Sequence, residues 1–159
     1  MSAVPEAPIF RRLCIVGLGL IGSSLARRVR QDRSVAEVVA FDADPAVRKR
    51  VAELGIADRV AETAQEAAEG ADCLVLCVPV GAMGRAAADL LPHVPPGAVV
   101  TDVGSTKVSV IREVLPLVPD GVHLVPAHPL AGTEYSGPDA GFSTPVSYTH
   151  LTLPTILLV

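Results

Sequence analysis

The chain of 159 residues is long enough for one domain with a buried core and too short for two ordinary domains. Hydrophobic residues make up 50% of it and charged residues 19%, which favours a buried sheet over a disordered chain. The net charge of -4 and the aromatic content of 3% argue against nucleic acid and anionic membranes as partners.

Strand-like and helix-like segments alternate along most of the chain. In chain order, the sequence predicts a strand at 13–16, a helix at 20–30, a strand at 37–41, a helix at 44–54, a strand at 73–78, a helix at 86–91, a strand at 98–101, a helix at 107–115 and a strand at 122–126. Asp44 and Pro45 give the second helix an N-cap and a first-position proline, and Gly55 ends it. Strands separated by helical crossovers predict an α/β domain with a doubly wound, mostly parallel sheet.

A glycine-rich turn joins the first predicted strand to the first predicted helix. Gly17, Gly19 and Gly22 form the pattern G-x-G-x-x-G in the segment GLGLIG. The first glycine permits a tight turn, the second lets the backbone approach a pyrophosphate, and the third lets helix and strand pack closely. The start of the helix, at Leu20 and Ile21, offers unpaired N–H groups to the phosphates. The pattern therefore predicts a dinucleotide site in a Rossmann-type fold, with a purely structural turn as the alternative.

Asp42 ends the second predicted strand, twenty positions after Gly22. An acidic residue at this point accepts hydrogen bonds from the adenosine ribose hydroxyls. Ala43 follows it, in place of an arginine or small polar residue that would accept a 2′-phosphate, so NAD is favoured as the cofactor over NADP. The basic residues 48–50 are expected to lie on a solvated helix face.

Two later segments fall at the carboxyl ends of predicted strands, where ligands bind in open α/β sheets. They are DVGSTK at residues 102–107 and HPLAGTE at residues 128–134. In their order and spacing, and together with the glycine pattern, these motifs resemble the prephenate dehydrogenase family, including its arogenate-specific and cyclohexadienyl members. The resemblance covers about residues 11–142. Members of the family continue with an α-helical domain that forms the dimer and completes the substrate pocket, and that domain is missing from this sequence.

The resemblance implies roles for four side chains. His128 matches the family's catalytic histidine, and imidazole suits proton transfer near neutral pH. Ser105 matches the serine that hydrogen-bonds the substrate hydroxyl and helps to seat the nicotinamide. Thr133 and Glu134 match residues of the loop that borders the substrate, and Glu134 is expected to pair with an arginine of the helical domain.

Several residues near these motifs also have structural interpretations. Without its motif, His128 would be a hydrogen-bonded loop histidine, and Ser105 has the alternative of capping the helix that follows it. Asp102 and Lys107 are expected to brace their loop, with direct contact to the substrate as the alternative. The segment Val78-Pro79-Val80, after the third apolar strand, is expected to line the nicotinamide-ribose side through backbone contacts.

The three cysteines lie in apolar runs and lack the spacing of a metal site, so we expect buried, reduced thiols and no metal. The N-terminal residues 1–12 do not resemble a secretory signal, and no run reaches the roughly 20 apolar residues of a membrane span. These features predict a soluble, cytoplasmic protein.

The final segment, residues 146–159, breaks with the composition of the rest. It contains no alanine, glycine or charged residue, whereas the chain before it is rich in alanine, glycine, proline and arginine. We therefore predict a dinucleotide-binding domain over residues 1–145 and an apolar tail over residues 146–159 that is non-native or disordered. A genuine apolar strand is the alternative, because short apolar runs are ambiguous.

Taken with the motifs, the resemblance implies an NAD-dependent dehydrogenase that oxidatively decarboxylates prephenate to 4-hydroxyphenylpyruvate, or arogenate to tyrosine, and works as a homodimer. This chain alone is expected to bind NAD weakly and to turn over little substrate. One alternative is another Rossmann oxidoreductase of the β-hydroxyacid dehydrogenase type, which would use a lysine of the helical domain. The other is a non-catalytic NAD-binding module.

Overall fold

The structure is a computed structural model that describes residues 7–129, 136–141 and 151–152. Its strands are β1 (Phe10–Val16), β2 (Val35–Phe41), β3 (Arg59–Val60), β4 (Cys73–Leu76), β5 (Val99–Asp102), β6 (His123–Val125), β7 (His128–Pro129) and β8 (Leu151–Thr152). Its α-helices are α1 (Leu20–Asp32), α2 (Pro45–Leu54), α3 (Ala64–Ala68), α4 (Met83–Leu90) and α5 (Lys107–Val114). Single 3₁₀ turns cover Val80–Ala82, Leu91–His93, Leu115–Leu117 and Pro138–Ala140.

The main sheet of the described chain has six strands in the order β3-β2-β1-β4-β5-β6, and each neighbouring pair is parallel. This is the strand order of Rossmann domains, so the predicted doubly wound α/β fold is confirmed. The order reverses between β1 and β4, where Val16 pairs with Leu76 at the carboxyl ends of the two strands. A crevice at this switch point is where such sheets bind their ligands.

The sheet is covered by helices on both faces because its strands bury alternate residues in opposite directions. On β1, Leu13 and Ile15 belong to the core layer that also contains Ala26 of α1 and Val51 of α2. The alternate β1 residues, Cys14 and Val16, belong to the layer formed with α3, α4 and α5. Each large aliphatic side chain buried in these layers stabilises the fold by about 1.5–3 kcal/mol.

Local capping signals fix the ends of α2. The Asp44 carboxylate accepts a hydrogen bond from the Ala46 N–H at 2.8 Å, and Pro45 is the first helical residue. Gly55 ends the helix with a φ of 61°, a conformation that favours glycine. The strand β3 and the helix α3 were not predicted, because two- and five-residue elements are too short to show a hydrophobic period.

The predicted tail contributes one short strand to the described structure. Strand β8 pairs antiparallel with β7, with His128 opposite Thr152 and Pro129 opposite Leu151. The rest of residues 146–159 lies outside the described residues, so the boundary at residue 145 and the nature of the tail stay predictions.

The cysteines, all within the described residues, are free thiols. Cys14 and Cys73 are buried, and burial raises the pKa of each thiol to about 12, which makes them poor nucleophiles near neutral pH. Cys77 is half-buried. Among the described residues, no group of three or more His, Cys, Asp or Glu side chains is arranged to hold a metal. None of the described helices is long and apolar enough to cross a membrane.

Candidate active site

The glycine-rich turn lies between β1 and α1, at the switch point of the sheet. Gly17 has a φ of 88°, and a Cβ added there would stand 2.9 Å from the backbone of Cys77. A Cβ on Gly22 would stand 1.9 Å from the carbonyl oxygen of Gly17. At Gly19, by contrast, the described atoms beyond its two chain neighbours all lie more than 4 Å from the Cβ position. The fold therefore requires the first and third glycines, whereas the second leaves open space above the turn.

Helix α1 begins directly after this turn and presents its positive end to the open space. Gly19 is the cap residue, and within the described chain no side chain caps the helix and no acidic residue lies in its first turn. The N–H groups of Leu20 and Ile21 have no partner within the helix, because the first turn of an α-helix lacks preceding carbonyls. Unpaired N–H groups and the helix dipole together fit a pyrophosphate.

Asp42 follows β2 and links that strand to the glycine-rich turn. One carboxylate oxygen accepts a hydrogen bond from the Leu18 N–H at 2.9 Å, and the other accepts one from the Asp44 N–H at 3.0 Å. A carboxylate has about four lone-pair sites, so acceptor capacity remains for the hydroxyls of a ribose. Asp42 thus holds the turn in place while lining the same cleft as the turn.

Arg48 does not lie on a solvated face, so the prediction for this residue was wrong. Its side chain is 14% exposed, and its guanidinium donates to the carbonyl oxygens of Asp42 at 2.9 Å and Ala43 at 3.3 Å. It also pairs with Glu62 at 3.2 Å. The reason is that Arg48 lies in the first turn of α2, which starts beside the end of β2. Lys49, its neighbour, is exposed as predicted.

One cleft of about 770 Å³ brings the predicted site residues together at the carboxyl edge of the sheet. The predicted residues that line it are Gly17, Gly19, Leu20, Ile21, Asp42, Val78, Pro79, Ser105 and His128. Gly22 is not among the lining residues, because it packs against Gly17. Thr133 and Glu134 lie outside the described residues. The sequence analysis missed Leu18, Cys77 and Gly104, which line the cleft next to predicted residues.

Ser105 does not act as the cap of α5, which corrects one of the interpretations of this residue. The cap position belongs to Thr106, and no side-chain hydrogen bond within the described chain closes this end of the helix. Ser105 is exposed and lines the cleft with His128. Its hydroxyl is therefore available on the same side of the sheet as the histidine.

Asp102 and Lys107 brace the loops around the cleft, as predicted. The Asp102 carboxylate accepts hydrogen bonds from the Gly104 N–H at 2.8 Å and the Ala127 N–H at 3.2 Å. Lys107 forms an ion pair with this carboxylate and donates to the carbonyl oxygen of Ala127. The ion pair closes the connection between β5 and α5 that carries Ser105, and its hydrogen bonds with Ala127 hold that connection beside the residue that precedes His128.

Residues 136–141, which follow the histidine loop, pack against α1 and α2. Arg27 donates to the carbonyl oxygen of Pro138 at 3.1 Å, and Arg50 donates to both carboxylate oxygens of Asp139. The hydrogen bonds from Arg50 hold the pKa of the Asp139 carboxyl below its usual range. Gly137, at the start of this segment, lines the cleft. These contacts hold residues 136–141 against the two helices.

Known proteins resemble this chain in sequence and in fold. The family described as prephenate dehydrogenase, nucleotide-binding domain, matches residues 25–150, a range that starts and ends later than the resemblance seen in the motifs. A cyclohexadienyl dehydrogenase of Zymomonas mobilis is 44% identical over 135 residues, which cover 85% of this chain and 46% of that protein.

Two crystal structures share the fold. Prephenate dehydrogenase from A. aeolicus, in complex with hydroxyphenyl propionate and NAD+, has a TM-score of 0.79 and 25% identity over 91% of this chain and 51% of that one. Synechocystis arogenate dehydrogenase has a TM-score of 0.73 and 28% identity over 82% of this chain and 45% of that one. The chain thus spans about half the length of the relatives it matches. It belongs to the family of prephenate dehydrogenase nucleotide-binding domains.

Proposed function

We propose that this chain is the NAD-binding half of an enzyme that oxidatively decarboxylates prephenate to 4-hydroxyphenylpyruvate, or arogenate to tyrosine. The observation that carries the proposal is that Ser105 and His128 line the same cleft as the glycine-rich turn and Asp42. A nucleotide site alone is common to many oxidoreductases. A histidine and a serine beside that site supply the groups needed where a hydroxyl is oxidised.

The proposed reaction assigns separate tasks to the two side chains. The glycine-rich turn and Asp42 would hold NAD, which would supply the acceptor for the hydride at C4 of the substrate ring. His128 is the general base for the 4-hydroxyl proton, because imidazole exchanges protons near neutral pH. Ser105 hydrogen-bonds the same hydroxyl and orients it toward His128. The bond to the ring carboxylate then breaks, CO2 leaves, and its electron pair enters the ring, which becomes aromatic. The 4-oxygen takes back the proton held by His128, so the product is a phenol and the base is regenerated.

Three features of the structure favour a dinucleotide, and one of them favours NAD over NADP. The space above Gly19 and the unpaired N–H groups of the first turn of α1 suit a pyrophosphate. Asp42 has acceptor capacity for the ribose hydroxyls. Its negative charge would also repel a 2′-phosphate, and Arg48, a cation beside the end of β2, is already bonded to backbone carbonyls and Glu62.

Replacing Asp42 with asparagine is expected to weaken NAD binding about tenfold and to narrow the preference for NAD over NADP. Asparagine keeps the size of the side chain but removes the charge and one acceptor oxygen, which costs about 1.5 kcal/mol or more for a hydrogen bond to a charged group. Dissociation constants for both nucleotides, measured by calorimetric titration of the purified chain, test this expectation.

Asp44→Asn is the matched control, because it removes the same charge two residues away. Asp44 caps α2 through the Ala46 N–H, and asparagine is an equally good cap. We expect this variant to bind NAD like the unmodified chain. Equal affinities of the Asp42→Asn variant and the unmodified chain for both nucleotides would remove Asp42 from the cofactor site.

We also propose that catalysis requires the portion of the relatives that this chain does not span. In this proposal an α-helical domain completes the substrate pocket and forms a homodimer, and Thr133 and Glu134 border the substrate, with Glu134 paired to an arginine of that domain. The buried thiols of Cys14 and Cys73 suit a reducing compartment, which supports a cytoplasmic location.

The function can be tested with a fusion of residues 1–141 of this chain to the second half of the Zymomonas mobilis enzyme. This fusion is called the hybrid enzyme below. The hybrid enzyme is expected to reduce NAD with prephenate or arogenate, whereas this chain alone should bind NAD and turn over little of either. NADH absorbance and chromatography of the aromatic product report the reaction.

The same assay separates the competing functions. Oxidation of β-hydroxyacids, but of neither cyclohexadiene, would favour the β-hydroxyacid dehydrogenase alternative. NAD binding without dehydrogenase activity in the hybrid enzyme would favour a non-catalytic module. Turnover by this chain alone at the rate of the hybrid enzyme would contradict the requirement for a helical domain.

A further inference from the structure

A largely buried ion pair closes the connection between β5 and α5, which carries Ser105, and it is hydrogen-bonded to Ala127, the residue before His128. The Asp102 side chain is 0% exposed and the Lys107 side chain is 16% exposed. Asp102 is the last residue of β5, and Lys107 is the first residue of α5. Such a pair has a high desolvation cost, so it is weak evidence for stability, and a well-packed apolar pair would hold the fold at least as well.

The contacts of this pair converge on the residues that precede Ser105 and His128. Gly104 donates its N–H to the Asp102 carboxylate at 2.8 Å. Ala127 has both of its backbone polar groups bound, since its N–H donates to Asp102 at 3.2 Å and its carbonyl accepts from Lys107. The backbone on the N-terminal side of each proposed catalytic residue is thus fixed to the same pair.

The fold itself has other means of holding these elements together. Strands β5 and β6 already pair from Val99 with His123 to Thr101 with Val125. Helix α5 is packed into the core by Val110 and Val114, both 0% exposed. The pairing of β5 with β6 ends, however, at Thr101 and Val125. Beyond that point, the hydrogen bonds between the ion pair and Ala127 connect the two segments.

We propose that Asp102 and Lys107 are positioning residues that set the distance between Ser105 and His128. They act through the backbone of Gly104 and Ala127. The proposal rests on the proposed function, in which Ser105 and His128 carry out the reaction. A catalytic group displaced by about 1 Å loses on the order of 100-fold in rate, so loosening this pair is expected to lower kcat.

The test uses Lys107→Met, the double variant Asp102→Asn with Lys107→Met, and Lys107→Arg. Lys107→Met leaves a buried carboxylate unpaired, so it is expected to lower the melting temperature. The double variant removes both charges, so it recovers part of that stability. The contact from Lys107 to Ala127 and one of the two hydrogen bonds accepted by the Asp102 carboxylate stay broken, because asparagine keeps a single acceptor oxygen. Lys49→Met, a change in the exposed lysine of α2, is the matched control.

The first measurement is made on this chain without any turnover, by amide hydrogen exchange in NMR spectra. In the double variant, the amide of Ala127 or Gly104 is expected to exchange about tenfold faster, the effect of losing one hydrogen bond to a charged group. Exchange in β1 and β4 and the affinity for NAD are expected to stay unchanged. Unchanged exchange at residues 104 and 127 would overturn the proposal.

The second measurement is made on the hybrid enzyme. Lys107→Met and the double variant are expected to lower kcat about 100-fold with little change in the KM for NAD, and Lys107→Arg is expected to restore part of kcat. Variants that lose melting temperature but keep kcat would overturn the proposal, because the pair would then be structural only. A hybrid enzyme without activity toward either substrate would contradict the proposed function, whereas the exchange measurement would still decide whether the pair spaces the loops.

Discussion

Replacing His128 with asparagine is expected to lower the kcat of the hybrid enzyme about 1,000-fold. General acid–base catalysis contributes roughly 100- to 10,000-fold to enzymatic rates, and the asparagine side chain does not act as a base near neutral pH. The affinity for NAD is expected to change less than about twofold, because the predicted contacts to the dinucleotide lie in the glycine-rich turn and at Asp42, on other loops of the cleft.

The measurement is steady-state kinetics with prephenate and arogenate, together with calorimetric titration of NAD. His123→Asn is the matched control, since His123 is an exposed residue of β6 and is not among the residues that line the cleft. This control should retain the kcat of the unmodified hybrid enzyme. A His128→Asn variant with full activity would remove the proposed general base and leave a nucleotide-binding domain without an assigned catalyst.

The sheet was predictable because most of its strands are runs of apolar residues covered on both faces. Strand β4 is the clearest example, with all four of its residues buried. The strand was predicted to end at residue 78, two residues after its observed end at Leu76. The reason is that Cys77 and Val78 continue the apolar run into the cleft. The pattern of apolar residues indicates which side chains are buried, but it does not indicate where the backbone stops pairing with the neighbouring strands.

The glycine-rich turn was predictable for a different reason, which is that its chemistry is local in sequence. The strand, the turn and the helix that form the phosphate site are consecutive, so their spacing alone specifies the geometry. Asp42 could be added because the length of the intervening helix is nearly constant in such units. The hydrogen bond from Leu18 to Asp42 explains how the two segments are held together.

The contacts that were not predicted are of two kinds. Some join residues that are distant in sequence, and others involve a side chain that could equally well extend into solvent or fold back onto the protein. Ala127 and Asp102 are separated by 25 positions, so no local pattern pointed to the hydrogen bond between them. Arg48 sits in a run of three basic residues whose neighbours are exposed, and its long side chain folds back to the end of β2. Charge patterns alone do not distinguish such an arginine from one in solvent.

Gly22→Ala is expected to lower the free energy of unfolding of this chain by about 3 kcal/mol. The added Cβ would stand 1.9 Å from the Gly17 carbonyl oxygen, so α1 must move away from the turn. Overpacking of this kind costs about 1–3 kcal/mol, and the upper value applies because the atom it meets is backbone and has no rotamer to change. Moving α1 also shifts the N–H groups proposed to bind phosphate, so NAD affinity is expected to fall about tenfold or more.

Gly19→Ala separates binding from stability in the same turn. Gly19 has a φ of -75°, which alanine adopts without strain, and the described atoms beyond its two chain neighbours all lie more than 4 Å from its Cβ position. We expect stability within about 0.5 kcal/mol of the unmodified chain, with a loss of NAD affinity of about tenfold, because the methyl group occupies space proposed for the pyrophosphate. Urea unfolding without nucleotide and titration with NAD distinguish the two effects. Unchanged NAD affinity in the Gly19→Ala variant would place the phosphates elsewhere, and unchanged stability in the Gly22→Ala variant would contradict the close packing of α1 on the turn.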